Sequence, residues 1–380
     1  MRILLRIVLI VAALLILLTG LLYLRQGGGS ELPNRSTPAA LSFDIVETVV
    51  DLDYPPGNIA VAADGRVFFT LHPDGNPPQK VMLLGPNGPQ PWPNATWQHP
   101  SATVPSFQSI LSLRIDQQNR LWILDFAEFG RGQPRLLAFD IDSAELVERY
   151  DFSPEVAGLG SMLNDLQVSP DGLTVYIAET SPLLQTPALI VYNTVERTAR
   201  RLLEGHVSVA SEELVIRTPL RAMRILGLID LRIGVDSIAL DRSGEWLYFG
   251  AVTAGTMWRI RTSDLRDEHL SESELAGRVE AFAEKTLSDG LTSDSDGNIY
   301  LSDMEHRAVH QLTPNGEIRT LLQDSRLRWP DGFSFGPDGW LYVTCSALDS
   351  VLFVSQATME AARPFQIYRF RPGPIGVAGH

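Results

Sequence analysis

The sequence predicts an all-β fold, a six-bladed β-propeller carried behind an N-terminal transmembrane anchor helix. Three observations lead there. The chain opens on a long uncharged apolar run; a pattern of alternating strand, tight turn and second apolar strand recurs six times; and most recurrences are about 40 to 55 residues apart. Of the 380 residues, 44% are hydrophobic and 20% charged, enough apolar side chains to bury a core and unlike a disordered chain.

The apolar run extends over 18 residues from Ile7 to Leu24, with Arg2 and Arg6 ahead of it and Arg25 behind. As a helix it rises about 27 Å, close to the roughly 30 Å of a hydrocarbon core. A cleaved signal peptide has a shorter core and a small-x-small site, whereas here Leu-Tyr-Leu-Arg leads into Gly-Gly-Gly-Ser. Residues 1–26 are therefore read as an uncleaved signal anchor, with secretion after cleavage as the alternative. No Cys follows the run, which argues against a lipoprotein signal. The flanking arginines orient the N-terminus toward the cytoplasm and place the rest outside it, periplasmic or extracellular. Residues 27–41, rich in Gly, Ser and Pro, read as a flexible linker, and residues 42–380 as the propeller.

Without Arg2, Arg6 and Arg25 the chain has 28 basic against 45 acidic residues, a formal charge of −17. Such a surface repels nucleic acid and draws cations. The single Cys345 rules out an internal disulfide and, within LYVTCS, reads as a small buried residue. His72, His206 and His306 lie near strand ends and read as structural.

Aligned on the turn residue, the six copies centre on Gly65, Asn119, Gly172, Gly244, Gly297 and Gly339, at steps of 54, 53, 72, 53 and 42 residues. Most continue into a third strand, such as RLLAFDI or ALIVYNT. A lone blade cannot cover both faces of its sheet, but blades stacked about an axis can, so the copies close into a ring. The strand FDIVETVVDLD, 43–53, has no partner of its own and is placed as the outer strand of the blade ending in FQIYRFR, 365–371; that splice leaves no open edge. The long step holds residues 208–236, expected as an outer hairpin or short helix between blades three and four.

In a ring the first strand of each blade lines the axis. The residues just ahead of those strands are Gly57-Asn58, Ser109-Ile110, Asn164-Asp165, Asp236-Ser237, Asp289-Gly290 and Asp331-Gly332. Convergence would gather Asp165, Asp236, Asp289 and Asp331 with Asn58 and Asn164 at one end. Hard oxygen donors without Cys or His suit Ca²⁺ or another divalent cation; like charges so placed need a cation among them or bound protons. The competing reading is local turn chemistry, assigned to the other Asp-Gly pairs at Asp64, Asp171, Asp296 and Asp338. Trp329, next to Pro330-Asp331, is placed to stack on a flat or cationic ligand.

FQSILSLRIDQQNRLWILD, LNDLQV, VYIAET, ALIVYNT and RIGVDSIALDRSGEWLYFGAVTAGTMWRI resemble the insect Yellow and major royal jelly protein family and its bacterial relatives, from about Pro56 to Arg371. The resemblance implies a six-bladed propeller. It also implies either dopachrome-type conversion of catechol derivatives or binding of biogenic amines in the axial cavity. A more distant likeness, through NDL, SDG and PDG, is to gluconolactonase and regucalcin propellers, and implies a divalent cation held by Glu, Asn and Asp. By that likeness Asn164 corresponds to a substrate-side Asn and Asp331 to the Asp ligand, with Asp289 where a metal-binding Asn is expected. The pattern departs at blade one, where Pro56-Gly57-Asn58 replaces the Glu.

Two functions follow as expectations. In the first, a membrane-anchored propeller binds a small polar ligand, an amine, catechol or sugar derivative, through Asn58, Asn164, Asp165, Asp236 and Trp329. In the second, a metal held by Asp289, Asp331 and Asn164 polarises a lactone carbonyl while Asp236 or Asp289 activates water. Dopachrome-type tautomerisation is a third. Binding is preferred, because the lactonase pattern breaks at blade one.

Overall fold

The computed structural model describes residues 2–99 and 105–379. Six four-stranded antiparallel sheets stand around one axis. Their inner strands are Pro56–Val61, Ile110–Ile115, Leu163–Val168, Val235–Leu240, Leu291–Ser293 and Pro330–Phe335. Each packs against the next and the sixth packs against the first, so the ring is closed. Closure is completed by Glu47–Leu52, which pairs as the outer strand of blade six with Phe365–Phe370, as the terminal splice requires.

The turn between the first two strands is built the same way in each blade. Gly65, Asn119, Gly172, Gly244, Gly297 and Gly339 all have positive φ, between 63° and 90°. In the first five, the amide of this residue donates to the carbonyl three positions back. Glycine suits this left-handed position because no Cβ meets the backbone there; asparagine is the next best tolerated.

Apolar side chains of adjacent blades interleave: Tyr176, Ala178 and Leu189 of blade three pack with Ile238, Leu247 and Phe249 of blade four. The blades are also tied by hydrogen bonds. Val61 N–H donates to Ser334 Oγ (3.0 Å), Thr70 Oγ1 to the Leu111 carbonyl (2.8 Å) and Gln167 Nε2 to the Ile238 carbonyl (2.9 Å).

Two expectations are corrected. Residues 27–41 lie against the ring instead of hanging as a free tether. Gly29 N–H bonds Asp230 (2.7 Å), Ser30 bridges to Leu214, and the amides of Ala40 and Leu41 donate to the carbonyls of Thr320 and Leu321. Residues 208–236 form no outer element. They carry a two-stranded hairpin, Arg224–Ile225 with Ile229–Asp230, that caps the end of the axis where the inner strands begin. The opposite end is closed by the C-terminal tail, whose Gly379 N–H donates to the Phe335 carbonyl and whose Gly379 carbonyl accepts from Ile115. The N-terminal helix, Arg2–Gln26, stands outside the ring and is long and apolar enough to cross a membrane.

Candidate functional site

Five of the six inner strands slip register against their second strands close to their starts: between Pro56 and Ile59, Ile110 and Ser112, Leu163 and Leu166, Val235 and Ile238, and Pro330 and Phe333. A bulge frees a residue from the ladder and re-aims its side chain. Asn58, Asn164, Asp165, Asp236 and Asp331 all fall within these irregularities. Amides at the starts of the inner strands are caught by hydroxyls on the second strands. Thr70 accepts from Asn58, Ser302 from Asp289 and Gly290, and Thr344 from Gly332, each at 2.9 Å.

The axial Asp-Gly pairs differ from those of the turns. A Cβ on Gly290 would lie 1.6 Å from the Asp331 carbonyl oxygen, and one on Gly332 would lie 2.8 Å from the Asn58 Cα. Glycine is needed here because the neighbouring blade's backbone passes through the space a side chain would fill.

One cavity of about 240 Å³ opens at this end of the axis. Its floor holds the four aspartates Asp165, Asp236, Asp289 and Asp331, with Asn58 and Asn164 beside them and Trp329 at the wall. The rest of the lining includes apolar side chains, among them Leu111, Phe129, Met162, Leu231 and Leu352. The expected convergence is therefore present, and the residues contribute unequally.

Asp165 is held at the centre of a network. Its carboxylate accepts from Ser112 Oγ (2.8 Å) and Asn58 Nδ2 (3.1 Å) and faces the Arg114 guanidinium at 3.3 Å. Asp289 accepts from the indole N–H of Trp329 at 2.5 Å. Trp329 is thus nearly fully buried and occupied in holding Asp289, with φ at 51° in a region a bulky side chain seldom adopts. Burial raises the Asp289 carboxyl to about 6, with Asp165 pushing the same way, while the Trp329 bond and the Lys285 ammonium oppose the rise. Asp236 and Asp331 are pushed well above the ordinary carboxylate range, first by burial and then by the other aspartates. The polar side chains of Asn164 and Ser237 beside Asp236, and of Ser346 beside Asp331, offset only part of this. Two carboxyls are thus left without a full counter-charge, facing the cavity.

Sequence reasoning missed two cations here. Arg114, at the fifth position of ILSLRI, reaches across the axis. Its Nη1 donates to the Phe333 carbonyl of blade six (2.7 Å) and its Nε to the Leu166 carbonyl of blade three (3.3 Å). Lys285 is also buried and bonds the Thr286 carbonyl (3.1 Å). An arginine inside an otherwise apolar alternating strand was the available signal for the first.

Among the described residues no group of three or more His, Cys, Asp or Glu side chains is placed to hold one ion. Of the expected ligands Asn164, Asp289 and Asp331, Asp289 already accepts one hydrogen bond, from Trp329. His72 lines the cavity edge with its Nδ1 accepting from Asp74 N–H (3.3 Å), a capping role. His306 bonds Asp303 (2.9 Å).

A family model described as "Major royal jelly protein" matches residues 108–343. Major royal jelly protein 9 of Apis mellifera is 23% identical over 226 residues, 54% of this chain and 50% of that protein. Major royal jelly protein 7 of the same bee is 30% identical over 124 residues, 30% of this chain and 27% of that protein. The chain spans about half the length of the curated relatives it matches first. Among solved structures, a luciferin-regenerating enzyme aligns with a TM-score of 0.56 at 13% identity, covering 88% of this chain and 98% of that one. A gluconolactonase from Xanthomonas campestris aligns at 0.55 and 12%, covering 91% and 97%. A calcium-binding protein, regucalcin, from Agrobacterium tumefaciens aligns at 0.53 and 14%, covering 88% and 96%. At these identities the likeness is one of fold.

Proposed function

The chain belongs to the major royal jelly protein family, and on that premise we propose that it is a membrane-anchored binding propeller whose axial cavity takes a small amphiphilic amine. The observation that carries this is the pairing of an under-compensated acidic floor with an apolar wall. An ammonium supplies the missing charge at Asp236 and Asp331, and an aromatic or aliphatic body replaces water along Leu111, Phe129 and Leu231. A volume of about 240 Å³ suits a small molecule and lies below the roughly 300–1,000 Å³ typical of pockets for larger ligands. A sugar derivative would leave its hydroxyls against apolar side chains, and a neutral catechol would leave the carboxyls unmatched.

Asp165 and Arg114 act as a fixed base in this reading, while Asp236, Asp289 and Asp331 meet the ligand. The N-terminal helix holds the ring at a membrane, outside the cytoplasm. The lactone-hydrolase reading draws its support from fold likeness.

The test compares tyramine with tyrosol, which carries a hydroxyl where tyramine has its ammonium. Saturable binding of tyramine, at least tenfold tighter than tyrosol, is expected for the full chain in detergent. Equal affinity for the two would remove the acidic floor from the account.

A further inference from the structure

The cavity mouth and the N-terminal helix lie at the same end of the ring. Arg232, just past the capping hairpin, donates to the backbone carbonyls of Arg25 and Gly27 at the end of the helix (3.2 and 3.4 Å). The Arg232 carbonyl in turn accepts from Gln185 (3.2 Å), in the loop that follows Leu183 and Leu184. Arg221 bonds the carbonyls of Asp349 and Leu352, fixing the hairpin segment against the loop that carries Phe353.

The tips of these loops are large apolar side chains turned to solvent. Leu226, at the hairpin turn, is 84% exposed, Leu183 is 64% exposed and Phe353 is 54% exposed. Leu183 and Phe353 also line the cavity mouth. Large apolar side chains exposed at one end of a ring mark a contact surface. The segment 214–233 has four arginines against one aspartate, in a body whose formal charge is otherwise strongly acidic. Glu31, Asp230 and Glu213 pair with three of those arginines, so the charges of this rim are largely held in ion pairs.

We propose that this rim, formed by the tips at Leu183, Leu226 and Phe353, rests in the bilayer interface, so that the axial cavity opens toward the membrane. The occupant is the bilayer itself because the helix that would enter it emerges from the same rim. The inference rests on the reading of residues 2–26 as an anchor. It adds an access route: the C-terminal tail closes the far end of the axis, so an amphiphilic amine partitioned at the membrane surface meets the mouth directly.

The test uses the full chain in vesicles of phosphatidylcholine and phosphatidylglycerol, with an environment-sensitive fluorophore attached in turn to Leu14→Cys, Leu183→Cys, Leu226→Cys and Ser243→Cys. Cys345 is fully buried and does not compete for label. The proposal expects blue-shifted emission, quenched by nitroxide lipids, at 14, 183 and 226, and a water-like label at 243, on a turn at the other end of the ring. Quenching at 14 with water-like labels at 183 and 226 would leave the anchor intact and overturn the docked mouth. Absence of quenching at 14 would remove the anchor premise itself. Blue shifts at 183 and 226 that grow with protein concentration and resist nitroxide lipids would assign the rim to a second copy of the chain, which also overturns the proposal.

Discussion

The Arg114 guanidinium lies 3.3 Å from the Asp165 carboxylate, both buried, and links the inner strands of blades two, three and six across the axis. This pair is the internal base on which the rest of the acidic floor stands. It neutralises one aspartate of four and leaves Asp236 and Asp289 to share Lys285, with Asp331 beside them.

Removing one member of such a pair exposes the other. Arg114→Met is expected to destabilise the ring by about 3–5 kcal/mol, because it leaves a buried carboxylate uncompensated. The double change Arg114→Met with Asp165→Asn should recover a large part of that loss. Chemical denaturation of the two variants measures both quantities, and equal losses would mean that the pair is not coupled.

The capacity of the sequence to disclose this arrangement was uneven. Asp165, Asp236, Asp289 and Asp331 were legible because the blade repeat fixes which residues start each inner strand, and chain direction then puts them at one end. Arg114 was not, since alternation alone reads a charged residue in a strand as solvent-facing, and only the closed ring turns that face toward the axis. The outer strands were largely illegible. Leu146–Asp151 is exposed or half-buried throughout, so no apolar period marks it. The hairpin at 224–230 looked like an outer element because its exposed Leu226 and buried Ile229 carry no information about which end of the ring they cap.

Function and stability should oppose each other at the floor. Asp331→Asn and Asp236→Asn each remove a carboxyl whose ionisation the folded state resists, so the ligand-free protein should unfold at higher temperature near neutral pH. The same changes should weaken amine binding at least tenfold. Thermal unfolding with and without tyramine reads both effects.

Stability should depend on pH through Asp289 and Lys285 in opposite directions. Asp289 is raised from 3.8 to about 6, so the folded state holds its proton more tightly. Its contribution is largest at low pH and is lost as pH rises from 3.8 to about 6. Lys285 is lowered from 10.5 to about 7 by burial, against the pull of Glu212, Asp303, Asp236 and Asp289. Across that interval the unfolded chain binds more protons, so this group's contribution to stability rises with pH from about 7 to 10.5. Lys285→Met is therefore expected to gain stability relative to the parent near pH 7, with the gain shrinking toward pH 10.5. Denaturation across that range checks the slope.

The close approach of blades five and six makes a severe prediction at one glycine. Gly290→Ala should cost more than about 3 kcal/mol or prevent folding, since its Cβ would collide with the backbone oxygen of Asp331. Gly227→Ala, where open space surrounds the Cβ position, should cost far less despite a φ of 73°. Soluble yield and denaturation midpoints of the two variants provide the comparison.

The acidic floor is tested most directly by calorimetric titration of the full chain with tyramine near pH 6.5 in two buffers of different ionisation enthalpy. One-to-one uptake with release of protons is predicted, because an ammonium drives ionisation of carboxyls that the empty cavity keeps partly protonated, and Asp331→Asn should reduce both heat and proton release. No saturable uptake at millimolar amine, or uptake without proton release and unchanged in Asp331→Asn, would contradict the account.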